Sequence, residues 1–108
     1  LGSGAVRALM GSAPTQCPQA WADADPRGAR LDVPAVLLHG AADTLVPSGV
    51  SASYLRSRGA GDATCRLEIV PDCDHFGIIG PGHAAYHRVL AAIDELAAGA
   101  SDGADRRP

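Results

Sequence analysis

Asp43 and His75 are the residues of this chain whose types and settings best suit covalent chemistry. Each follows a short apolar run. Asp43 comes after Ala35 to Leu38, a run closed by His39-Gly40, and His75 comes after Thr64 to Val70, in the turn Pro71-Asp72-Cys73-Asp74-His75-Phe76-Gly77. Apolar runs without polar alternation fit strands covered on both faces, as in parallel sheets flanked by helices. Side chains that follow such strands collect in the crevice beyond their carboxyl ends. A carboxylate meeting an imidazole there orients the ring and stabilises its protonated form, which a serine hydroxyl needs before it becomes a competent nucleophile. Asp74, beside His75, is a rival acid. Adjacent side chains diverge, so Asp74 is read as a turn residue.

A nucleophile does not stand out. A serine on a strained strand-to-helix turn requires G-x-S-x-G after a strand. Gly2-Ser3-Gly4 has the wrong glycine spacing and no strand before it. Gly49-Val50-Ser51-Ala52-Ser53 follows Asp43, falls in an expected helix and lacks the second glycine. Ser51 is therefore rejected, and the donors of an oxyanion hole are missing with it. Of the other histidines, His39 is read as structural, with its ring satisfied by backbone near the sheet edge. His83 and His87 are four apart on an expected helix face, a spacing that can hold zinc, but no H-E-x-x-H pattern accompanies them. No metal is assigned.

His39, Gly40, Asp43, Val46 and Pro47 spell H-G-x-x-D-x-x-V-P, and Asp74-His75-Phe76 forms a short histidine turn. On these residues Leu31 to Leu96 resembles the C-terminal portion of an α/β-hydrolase, in the esterase, lipase and prolyl-oligopeptidase-like branch. Leu1 to Arg30 resembles, less specifically, the helix and loop ahead of this unit in small bacterial esterases and kynurenine-formamidase-like enzymes. The resemblance implies a triad with Asp43 as acid and His75 as base, in the order Ser…Asp…His. It implies cleavage of carboxylic esters or related acyl bonds without a cofactor, with Trp21 and Phe76 as candidates for contact with a small-molecule ester or amide substrate. The alternatives are an amidase or peptidase of the same fold, a dehalogenase-like relative, and a non-catalytic relative that keeps the fold for binding.

The elements that must position these residues follow from periodicity and breakers. Gly4 to Met10 is a short helical pattern, stopped by Gly11-Ser12-Ala13-Pro14. Pro18 suits a first helical position, and Gln19 to Ala24 make two turns before Asp25-Pro26. Trp21 there is either a pocket wall or a residue docked on the body. A helix is expected from Ser48 to Arg58, closed by Gly59, with Val50, Tyr54 and Leu55 inward and Arg56 and Arg58 outside. With its two strands it makes a βαβ unit. The last helix is expected from Gly82 to Ala98, with Tyr86, Val89, Leu90, Ile93 and Leu96 against the sheet. Phe76 is expected to anchor the histidine loop in the core, or to line the pocket mouth.

The expected organisation is a helix and loop region over 1–30, a βαβα unit over 31–98 and a disordered tail over 99–108. The fold class is α/β, the C-terminal part of a doubly wound parallel sheet with two strands and their flanking helices. Since such a sheet needs further strands, the 108 residues are read as a fragment whose partner is the rest of its own hydrolase domain. A net charge of −3 and a pI near 5.7 give no footprint for nucleic acid. No apolar run approaches the ~20 residues that span a bilayer. Cys17, Cys65 and Cys73 lack metal-ligand spacing, and Cys65 and Cys73 are too far apart along one run to bridge. Free thiols favour a reducing, cytoplasmic compartment.

Overall fold

The computed structural model describes residues 4–28, 32–59 and 61–105, the last five as backbone only. Helix α1 spans Ala5–Met10 and ends where Gly11 enters the left-handed region at φ 73°, donating its N–H to the Arg7 carbonyl at 2.9 Å. Helix α2 spans Pro18–Ala24, with proline at its start where no N–H is required. A single 3-10 turn, Pro26–Gly28, follows. Strand β1 is Ala35–Gly40, helix α3 is Ser48–Ser57, strand β2 is Cys65–Val70, and helix α4 is Tyr86–Asp105.

The two strands pair in parallel, Ala35 opposite Cys65 through Gly40 opposite Val70. Parallel pairing puts both carboxyl ends at one edge, so the loops after β1 and β2 leave side by side. The pair is the whole sheet among the described residues. Alternate residues of β1 serve opposite faces. Leu37 lines a cavity with Val50 and Tyr54 of α3. Leu38 packs with Ile78 against Val70, Cys73 and Ala85, on the side of α4. The chain is thus α/β, with helices packed on both faces of a two-stranded parallel sheet.

Several expectations need correction. The last helix begins at Tyr86 rather than Gly82, because the His83 ring accepts a hydrogen bond from the Ala85 N–H at 3.0 Å and holds the entry as a turn. That helix continues through 99–105, the segment expected to be a disordered tail. Nucleation is needed only once, so the helix begun in the packed part of α4 propagates through Ala97, Ala98 and Ala100, although Gly99 and Gly103 are each about 1 kcal/mol less favourable than alanine. Residues 106–108 lie outside those described. The inward stripe of α4 is also rotated from the one expected. Ala92 is buried, and Val89 and Leu96 are half-buried, but Leu90 and Ile93 are exposed. Small alanines let the helix approach the strands closely, and the larger side chains fall outside that contact.

Arg58 is a further correction. Its side chain is 5% exposed rather than solvent-facing. Nε donates to Asp62 at 2.9 Å and Nη2 to the Val33 carbonyl at 2.7 Å, so one guanidinium ties the end of α3 to the entries of both strands. The Thr64 hydroxyl above all, and then the Arg58 guanidinium, hold the Asp62 carboxyl down at about 2. On the other face Glu68 of β2 accepts from Arg88 of α4 at 2.6 Å, and Arg66 reaches Glu95 at 2.6 Å.

Candidate active site

Gly40, the last residue of β1, decides how close the two loops lie. A β-carbon there would meet the backbone carbonyls of Cys73 and Asp74, the latter at 2.8 Å. The glycine lets the histidine loop nest against the end of β1, and two backbone bonds stitch the contact. Ala41 N–H donates to the Val70 carbonyl and Ala42 N–H to the Cys73 carbonyl, both at 2.9 Å. Asp72, at φ 53°, is the one described non-glycine residue in the left-handed region, a conformation aspartate tolerates better than most residues. It turns the chain off β2 so that Cys73 is fully buried beneath the site and His75 rises at its rim.

On this platform Asp43 and His75 meet. His75 Nδ1 lies 2.9 Å from Asp43 Oδ2, across 32 positions of sequence. The other carboxylate oxygen, Oδ1, accepts the N–H groups of Leu45 at 2.9 Å and Val46 at 2.8 Å. The Asp43 side chain is 6% exposed, whereas that of His75 is 39% exposed. The Val46 amide above all, then the His75 ring and the Leu45 amide, hold the Asp43 carboxyl below the ordinary aspartate range, against the opposing effect of burial. A carboxylate only accepts, so His75 carries its proton on Nδ1 and donates it to Asp43. That leaves the Nε2 lone pair of His75 without a hydrogen-bond partner among the described residues and directed away from the acid. The geometry suits a general base with a locked tautomer.

Asp74 does not compete for the ring. Its Oδ1 accepts from the N–H groups of Phe76 at 3.0 Å and Gly77 at 2.8 Å, closing the histidine turn. Phe76 is 62% exposed and meets the His75 ring edge-on, with centroids 5.1 Å apart. It therefore does not anchor the loop in the core. Ile78 and the buried Gly77 do that instead, with Gly77 fitted tightly against Cys73 and His83. Trp21 is half-buried and donates from Nε1 to Ser12 Oγ at 3.3 Å. It lines a cavity of about 690 Å³ with Val6, Met10, Leu37 and Tyr54, and neither Asp43 nor His75 borders it. The structure brings the acid and the histidine together, places Phe76 beside them, and leaves Trp21 elsewhere.

His39, expected to have its ring satisfied by backbone near the sheet edge, is buried, and its partners are not only backbone. Nε2 lies 2.8 Å from the Val46 carbonyl and Nδ1 lies 2.8 Å from Ser51 Oγ. The Ser51 contact is not legible from residue order, because four residues into a helix a serine advertises nothing about which loop it faces. No described serine stands on a strained turn, and Ser51 sits within regular helix. Gly2 and Ser3 lie outside the described residues. His83 belongs to the turn ahead of α4, so His83 and His87 do not share a helix face. The described residues hold no group of three or more His, Cys, Asp or Glu able to hold a metal. All three cysteines are free, Cys17 exposed and Cys65 and Cys73 buried.

Compared with known proteins, the chain matches no family model, no curated protein and no solved structure.

Proposed function

We propose that this chain is the C-terminal part of an α/β-hydrolase, built on a doubly wound parallel sheet, and that it supplies the acid and the histidine of a Ser-His-Asp triad cleaving carboxylic esters or related acyl bonds. The observation that carries the reading is the 2.9 Å contact between His75 Nδ1 and Asp43 Oδ2, made by loops that leave the carboxyl ends of adjacent parallel strands. Support also comes from the burial of the acid and the exposure of the histidine, the asymmetry this chemistry needs.

In this mechanism a serine hydroxyl, carried by polypeptide beyond these residues, attacks the acyl carbon while His75 Nε2 takes its proton. Asp43 stabilises the imidazolium and keeps Nδ1 protonated throughout. The proton then passes from Nε2 to the leaving alkoxide or amine, and an acyl-serine remains. Water attacks that ester as Nε2 accepts its proton, and collapse returns serine and carboxylic acid. No cofactor takes part. Phe76, at the rim beside His75, offers an apolar edge to the substrate.

The test uses a fluorophosphonate probe, which reacts only with an activated serine. The 108-residue chain alone should stay unlabelled and should not turn over p-nitrophenyl acetate above background. A polypeptide carrying this segment together with its upstream strands should be labelled, and His75→Ala should abolish that labelling. Undiminished labelling in the His75→Ala protein would sink the reading.

A further inference from the structure

We propose that His39 is a positioning residue for this site: its buried imidazole, held by Ser51 of α3, clamps the Val46 carbonyl and thereby fixes the Val46 amide that pins Asp43 against His75. The inference rests on the reading of Asp43 and His75 as acid and base, and adds a component outside that pair.

For a neutral ring the hydrogen bonds admit one assignment of protons. The Val46 carbonyl only accepts, so His39 Nε2 carries the ring proton and donates it across 2.8 Å. Nδ1 is then an acceptor, and the Ser51 hydroxyl donates to it across 2.8 Å. Asp43 Oδ2 lies 3.6 Å from Nε2. That is too long for a hydrogen bond, and the one proton on Nε2 is already used by Val46. His39 therefore acts on Asp43 through the backbone. Val46 is gripped on both sides, by its carbonyl toward His39 and by its N–H toward Asp43 Oδ1 at 2.8 Å. Pro47, with φ −63°, stiffens the next link before α3 begins. A short chain of contacts thus runs from α3 through Ser51, His39 and Val46 to Asp43 and His75.

The same arrangement excludes a rival. Ser51 beside His39 is a serine–histidine pair, but Ser51 stands in regular helix and His39 is 8% exposed. Neither the strained turn nor the open face that a nucleophile requires is present. The pair is built to hold a ring still. The amide that the ring steadies is also the strongest of the contacts lowering the Asp43 carboxyl.

Isotope-labelled 108-residue chain tests this by nuclear magnetic resonance, reading the far-downfield Nδ1 proton of His75 and the titration of the Asp43 carboxyl carbon. In His39→Phe, which keeps a ring and loses the donor, the His75 signal should vanish and the Asp43 midpoint should rise toward the ordinary aspartate range. In His39→Gln, whose amide nitrogen can reach the Val46 carbonyl, both should stay near their original values. Ser51→Ala should broaden the His75 signal without removing it, and serves as the second variant if His39→Phe does not fold. Retention of both signatures in a folded His39→Phe overturns the proposal. So does equal loss in the Phe and Gln variants, an unchanged signal in Ser51→Ala, or absence of the His75 signal from the original chain. In a catalytically competent polypeptide carrying this segment, His39→Phe should lower kcat about 10²-fold with KM little changed, as a small misplacement of a catalytic group does. If the clamp signatures behave as expected while Asp43→Asn leaves turnover intact there, the clamp stands and the triad reading falls.

Discussion

Two carboxylates flank His75 in space or in sequence, and their hydrogen bonds separate their duties. Asp43 spends one oxygen on the His75 ring and the other on two backbone amides. Asp74 spends its Oδ1 on the turn that carries His75. In a catalytically competent polypeptide containing this segment, Asp43→Asn should therefore cost about 10⁴ in turnover, because an amide can no longer hold Nδ1 protonated. Asp74→Asn keeps an oxygen for the turn and should cost less than about tenfold on that scale. Steady-state kinetics of the two variants decides between them, and the reverse ranking shows the acid misassigned. The acid side of the stability curve gives a further check. The folded carboxyl of Asp43 titrates below its unfolded value, so its contribution is present above the unfolded pKa and fades as pH falls through the folded one. Asp43→Asn should flatten that part of a pH series of thermal melts.

At the scale of elements, Gly40 is where the end of β1 and the histidine loop touch backbone to backbone. Gly40→Ala should destabilise the chain by about 1–3 kcal/mol, the usual cost of forcing atoms into packed space. It should also remove the His75 Nδ1 signal, since the carbonyls of Cys73 and Asp74 must retreat. Across the sheet, Glu68 is held down to about 2, chiefly by Arg88 and then by Arg66. Its stabilising contribution is complete above the ordinary glutamate range and is lost as pH drops from there toward 2. Glu68→Gln should leave neutral-pH packing intact and reduce the acid sensitivity of the β2–α4 contact, read by amide exchange in α4. Much at this scale was legible beforehand, since both strands, all four helices and the setting of Asp43 and His75 follow from apolar runs bounded by Gly and Pro. What escaped was tertiary. Periodicity favoured Leu90 and Ile93 over the small Ala85 and Ala92 that permit close approach. Charge alone put Arg58 outside, although four acceptors around it (Asp62, Tyr54, the Val33 carbonyl and Thr64) make burial tolerable. Ser51 could not be tied to His39 until α3 was laid against β1.

For the molecule as a whole, surface is the governing quantity. The chain exposes 7664 Å², whereas a folded monomer of its 10.9 kDa mass exposes about 5600 Å² by the usual scaling. Val50, Ile69, Phe76, Ile79, Leu90 and Ile93 are among the apolar side chains left uncovered. An excess of this order is comparable with a standard protein–protein interface. The isolated chain should therefore elute above its own mass in size-exclusion chromatography and melt with low cooperativity. A sharp-melting monomer at micromolar concentration contradicts that expectation. The three free thiols make the cooperativity measurable from within. Cys17 is exposed, Cys65 is buried in β2, and Cys73 is sealed between the two site loops with no exposed surface at all. An alkylating reagent should consume Cys17 at once and then wait on opening events for the other two. Equal rates at Cys65 and Cys73 mean that the sheet and the site open as one unit. A faster Cys73 means that the loops part while the strands stay paired, and the ratio of the two rates then gives the free energy by which the site comes apart before the sheet does.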